Sequence, residues 1–95
     1  MEVSTGVYKH FKGKYVYVLF TAKHSDREEV EVVYKGLNDG GYFARPYESF
    51  VEQVQDKNGN WVSRFSKASE IEILEMIKNK TIKGDEVVKL DEFCK

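Results

Sequence analysis

The stretch YVYVLFTA, Tyr15–Ala22, is the longest apolar-alternating run in the chain, and VEVVYKGL, Val30–Leu37, continues the pattern after a polar break. Side chains alternate across a strand with a period of two, so the even-numbered residues of both runs share a face. That face carries Val16, Val18, Phe20 and Ala22 in the first run and Val30, Val32 and Tyr34 in the second. Between them, Lys23-His24-Ser25-Asp26-Arg27-Glu28 is polar throughout and can reverse the chain. These features predict a long β-hairpin with a charged, histidine-bearing tip. Val16, Val18, Phe20, Val30 and Val32 are expected in the core, because a one-residue slip would turn the whole apolar face to water.

Working outward, Gly6–Phe11 reads as a first strand, with Val7 on one side and Tyr8 and His10 on the other, followed by a Lys12-Gly13 turn. On the far side, Asn38-Asp39-Gly40-Gly41 is the strongest turn signal and leads into a strand over Tyr42–Arg45, which Pro46 ends. Tyr47–Phe50 has the length of one 3₁₀ turn. Val51–Gln55 and Trp61–Phe65 read as two further strands around an Asp56–Asn60 turn. Six short strands predict a mainly β fold, either a small SH3-like antiparallel barrel or a strongly bent sheet.

After Phe65 the period changes. Ser69 and Glu72 have capping-box spacing, and Ile73, Leu74, Met76 and Ile77 recur at helical spacing, which predicts a helix over 69–80. Lys83-Gly84-Asp85 turns the chain, and Glu86–Phe93 reads as a last strand or a short docked segment. The expected division is a β domain over 1–65 with a C-terminal helix and tail, 66–95, packed on it. A three-turn helix is marginal alone. Its stripe must dock on the sheet or on a second copy, which gives a monomer or a weak homodimer through that helix.

The order of residues resembles the bacterial family known as domain of unknown function number 1653. The matching positions are Gly6, Tyr8, His10-Phe11-Lys12-Gly13, Tyr15, Val18, Ala22, His24-Ser25 and Glu29. They continue with Val32-Val33-Tyr34, Leu37, Arg45-Pro46, Phe50, Glu52, Val54 and Arg64-Phe65. The resemblance covers about residues 6–65. The family usually has Glu after the His-Ser pair, where this chain has Asp26, which keeps the carboxylate but shortens its reach. What the resemblance implies is a compact β-rich domain; no activity comes with it.

With 95 residues there is room for one domain and one modest core. The formal net charge of −1 argues against binding nucleic acid through a global positive field. Charge is uneven, however: Lys9, Lys12, Lys14, Lys23 and Arg27 face only Asp26 between residues 9 and 27. The single cysteine, Cys94, allows no internal disulfide and no zinc cluster, and fits a reducing cytoplasm. No metal site and no cofactor are expected. Met1 precedes a polar segment, and no apolar stretch is long enough to span a bilayer, so a cytoplasmic protein without a membrane partner is expected.

Three readings of function remain. The first is a non-catalytic binding module for a nucleic-acid strand, a nucleotide or another anionic ligand. Aromatic faces beside cations suit such ligands. Arg45 stands before Pro46, so its backbone is held extended and its guanidinium can be aimed at a phosphate or carboxylate. The candidate ligand-binding residues are Arg45, His24, Ser25, Tyr47, His10 and Tyr8, with no catalytic residue assigned. Following the strand reversals, Arg45 is expected beside the His24 loop, with His10 the weaker member. The alternative is a small hydrolase using His10, His24 and Asp26, which requires those three to converge. A protein-interaction role for the C-terminal helix is the third possibility.

Overall fold

A computed structural model describes residues 3–94. Its strands are β1 Gly6–His10, β2 Tyr15–Lys23, β3 Val30–Gly36, β4 Tyr42–Pro46, β5 Gln53–Gln55, β6 Trp61–Ser63 and β7 Phe65–Lys67. Its helices are α1 Tyr47–Phe50, α2 Glu70–Lys78 and α3 Gly84–Phe93. β1 to β4 form an antiparallel meander and β7 returns to the free edge of β1, giving the order β4-β3-β2-β1-β7. The fold is mainly β, as expected. Its sheet is open, with β4 and β7 as edges, so the bent sheet forms and the closed SH3-like barrel does not.

The run expected as one strand over Trp61–Phe65 is divided. Arg64 breaks it: its N–H bonds to Glu52 O and its carbonyl accepts from Phe11 N–H, which sends β6 into a separate hairpin with β5 and β7 into the main sheet. Tyr47–Phe50 is a single α turn rather than a 3₁₀ turn, closed by Val51 N–H on Tyr47 O at 3.1 Å.

β2 is buried on both faces, which simple alternation does not anticipate. Val16 and Val18 join Tyr8, Val32, Tyr34, Phe50 and Phe65 under α1. Tyr17 and Leu19 join Val7, Leu37, Met76, Ile82 and Val87 under α2 and α3. The second face is covered because α2 and α3 pack on it. Further along β2 a bulge intervenes: Val18 pairs with Tyr34, but Phe20 pairs with Val33. One extra residue in β2 therefore puts Phe20 on the helix-bearing face, and it remains 46% exposed there. Val30, at the open end of the hairpin, is 43% exposed. Val16, Val18 and Val32 are buried as expected; Phe20 and Val30 are not.

Ser69 caps α2, accepting from Glu72 N–H while the Glu72 carboxylate accepts from Ser69 N–H, the reciprocal pair that the spacing implies. Met76 is buried and Ile73 and Ile77 pack beside it, whereas Leu74 faces water. The segment Glu86–Phe93 belongs to a helix, not a strand. Val87, Leu90 and Cys94 recur at three- and four-residue spacing and pack against the sheet. Polar contacts fix α3 as well: Tyr17 Oη donates to Asp91, Lys35 pairs with Glu86, and Cys94 Sγ lies 3.6 Å from Leu19 O. Burial, and then the Asp91 contact, push the Tyr17 hydroxyl pKa up. Among the described residues no helix is long and apolar enough to cross a membrane.

Candidate functional site

The turn between β1 and β2 builds one wall of a cleft on the α1 side of the sheet. Gly13 takes a φ of +102°, which L side chains rarely adopt, and lets its N–H reach His10 O at 2.8 Å. His10 Nδ1 accepts from Lys12 N–H at 3.1 Å, so in the neutral ring the proton belongs on Nε2, which is left as a donor. β7 pairs with β1 so that His10 faces Phe65 across the ladder. The two rings meet edge to face at 4.9 Å.

β4 supplies the opposite wall. Arg45 pairs in register with Val32, and its side chain runs along the α1-bearing face. Nε donates to Tyr34 Oη at 3.4 Å, Nη1 donates to Ser49 Oγ at 3.0 Å, and the guanidinium lies 5.7 Å from the Phe65 centroid. Behind it the aromatic rings form a ladder. Phe50 stacks on Phe65 at 4.2 Å, Phe65 meets Tyr34 at 5.5 Å, and Tyr34 stacks on half-exposed Phe43 at 5.6 Å.

The resulting cleft of about 220 Å³ is lined by His10, Tyr34, Phe43, Arg45 and Phe65, with Lys14, Asn38 and Asp39 at its rim. It is positively biased. Burial lowers the His10 pKa from its ordinary 6.5, and the charges of Arg45, Arg64, Lys12 and Lys14 lower it further. Arg64 is neutralised by Glu52 at 2.7 Å and Lys14 faces Asp39 at 3.7 Å. Arg45 differs: among the described residues no carboxylate is within ion-pair distance of it, and it does not pair with Glu29 or Glu31. Two of its five N–H donors are used, which leaves three.

Of the six candidate residues, the fold brings His10 and Arg45 together and separates the rest. His24 and Ser25 line a different depression of about 370 Å³, walled by the loop itself from Lys23 to Val30. Nine residues of β2 stand between the two histidine turns, about 26 Å of extended chain. Tyr47 borders a third hollow together with Glu28, Glu29 and Glu48, an acidic setting. Tyr8 is a core residue: its hydroxyl donates to Ser4 O at 2.9 Å and its ring packs on Phe50 at 5.4 Å. The expected pairing of Arg45 with His24 over His10 is thus reversed. The β4 backbone does end on the His24 side, where Pro46 and Tyr47 face Glu28–Val30. The Tyr34 and Ser49 hydroxyls draw the Arg45 side chain the other way.

His10, His24 and Asp26 do not converge. His24 Nδ1 accepts from Asp26 N–H at 3.1 Å, a backbone contact that closes the loop. The basic run from Lys9 to Arg27 is also divided, Lys12 and Lys14 flanking His10 while Arg27 pairs with Glu29 at the far hairpin tip. Among the described residues no group of three His, Cys, Asp or Glu side chains is placed to hold a metal. Phe43, Phe65 and Asp39 were not anticipated as lining residues. Phe43 alternates with Arg45 in β4, the one local signal that could have found it.

An open antiparallel sheet, with an aromatic-walled cationic cleft between the first turn and the fourth strand, defines a small, mainly β domain. The chain belongs to the family described as Protein of unknown function (DUF1653), whose model matches residues 6–67. His10, Asp39, Arg45 and Phe65 all lie inside that match, and α2 and α3 lie beyond it. Among solved structures, the chain is similar to a DUF1653-family protein from Bordetella bronchiseptica, with a TM-score of 0.65 and 28% identity. The likeness covers 72% of this chain and 90% of that one. No curated protein matches the chain.

Proposed function

We propose that the chain is a binding module for a nucleotide-sized anion, free or within a single strand, held in the His10–Arg45 cleft. Arg45 and His10 Nε2 hold the phosphate, and the ring of the ligand lies against Phe43. One observation carries the reading. Arg45 is half-buried and held in place by two hydroxyls, with no carboxylate among the described residues within ion-pair distance, at the mouth of an aromatic cleft. A guanidinium fixed in that way has already lost its side-chain freedom and keeps donors for a bidentate contact. The volume of about 220 Å³ falls below the roughly 300–1,000 Å³ of pockets for drug-sized ligands, so one ring system fits.

The test is a thermal-shift titration with nucleoside monophosphates and inorganic phosphate. Native-state binding raises apparent stability with the logarithm of ligand concentration. Arg45→Ala should lower affinity by about 10- to 100-fold, the loss of a charge-assisted contact of about 1.5–3 kcal/mol. His24→Ala should leave it unchanged. No shift with any nucleotide, or an equal shift in Arg45→Ala, rejects the proposal.

A further inference from the structure

The cleft has cationic walls and an acidic rim, and the rim names the ring. Four residues of β3 beyond the Val32 register of Arg45, Gly36 forms the floor beneath the Asn38-Asp39 turn. A Cβ on Gly36 would sit 2.0 Å from Asp39 Oδ1, so the carboxylate is folded into the space that glycine leaves open. Asn38 is already committed: its Oδ1 accepts from Tyr15 N–H at 2.9 Å, and its Nδ2 faces Thr81 O at 3.4 Å. Among the described residues Asp39 has only exposed Lys14 at 3.7 Å, well beyond the roughly 2.7–2.9 Å of a charge-assisted hydrogen bond. Among the described residues its acceptor sites are otherwise open, at the rim of a cleft whose walls are cationic.

A carboxylate only accepts hydrogen bonds, so it repels any ligand that does not present donors there. β1, which carries His10, lies two strand spacings from β3 and its Gly36, about 10 Å, the reach of a sugar and base beyond a phosphate rather than of a phosphate alone. Among the common bases, guanine places two adjacent donors, the ring N1–H and the exocyclic N2 amine, on one edge, and these match both carboxylate oxygens. Adenine and cytosine set an acceptor beside their amine, and uracil flanks its single donor with two carbonyls. We infer that the cleft selects a guanine nucleotide, with Asp39 reading the base edge while Arg45 and His10 hold the phosphate. This rests on the nucleotide-binding reading above.

Isothermal titration of the full chain with guanosine, adenosine and uridine monophosphates and with inorganic phosphate tests it. Guanosine monophosphate should bind at least tenfold more tightly than the other two nucleotides. Asp39→Asn should bring it to their level without changing phosphate affinity. Gly36→Ala, which displaces the Asp39 carboxylate but keeps its charge, should do the same. Equal affinity for the three nucleotides overturns the inference and leaves the binding site standing, as does a guanine preference that survives both variants. Absence of any nucleotide binding overturns both. A uridine hexamer with one central guanosine separates a strand from a free nucleotide. The inference also fails if replacing that guanosine by adenosine leaves the hexamer's affinity unchanged.

Discussion

The turn after β1 and the loop after β2 treat their histidines alike at short range. Lys12 N–H reaches His10 Nδ1 at 3.1 Å, and Asp26 N–H reaches His24 Nδ1 at 3.1 Å. Beyond that shared contact they diverge. β7 returns to pair with β1, which sets Phe65 against His10 and closes a cleft with Arg45. Among the described residues the His24 depression is lined by its own loop alone, Lys23 to Val30. The same local chemistry thus lines an aromatic cleft in one place and a surface turn in the other, and a strand distant in sequence makes the difference.

The sharpest way to break this comparison is to remove the returning ring. Phe65 is buried, stacked on Phe50 at 4.2 Å and within 4.9 Å of His10. Phe65→Ala should cost about 3–5 kcal/mol in denaturant unfolding, as for other buried aromatics. With the ring gone, the His10 pKa should move back towards 6.5 in an NMR titration. Unchanged titration of His10 would show that Phe65 does not create its environment.

A second pair of substitutions tests the two halves of β2. Val18→Ala, at a fully buried position, should cost about 1–3 kcal/mol through lost methyl burial and the cavity left behind. Phe20→Ala removes more carbon, yet it should cost less than Val18→Ala, because the bulge leaves Phe20 46% exposed. Chemical unfolding of both variants checks the order. The reverse order would place the register shift elsewhere.

The same strand shows where the sequence could be read and where it could not. Period-two alternation located β1 to β4, and the switch at Phe65 with Ser69 and Glu72 located α2 and its cap. These signals act over a few residues. A bulge inserts a single residue with no compositional mark, so Phe20 was assigned to the wrong face. α3 was missed because Gly84 opens it and charged residues fill its outer face, although Val87, Leu90 and Cys94 carry its period. At the site, the extended backbone of Arg45 before Pro46 was legible. Its direction was not, because Tyr34 and Ser49 attract it and Ser49 arrives on α1. Asp39 read as a turn residue, since only packing places its carboxylate over Gly36.

The smallest expected effect is in the pH dependence of stability. The groups facing His10 are Arg45 from β4, Arg64 between β6 and β7, and Lys12 and Lys14 from its own turn, all of which disfavour the imidazolium. Its folded pKa is therefore below the ordinary 6.5. Between the two values the unfolded chain holds a proton that the folded chain does not. Stability rises with pH wherever the unfolded state binds more protons. The His10 contribution is accordingly complete above about pH 6.5 and is lost as pH falls through that value towards the folded pKa. Thermal unfolding from about pH 7.5 to 5.5 should show this decline in the wild type. The decline should flatten in His10→Gln. Sulfate, which remains a dianion throughout this range, should stabilise the wild type more at the acid end, because an anion beside His10 favours its charged form. A sulfate effect independent of pH, or one that survives Arg45→Ala, would remove His10 and Arg45 from a common anion site.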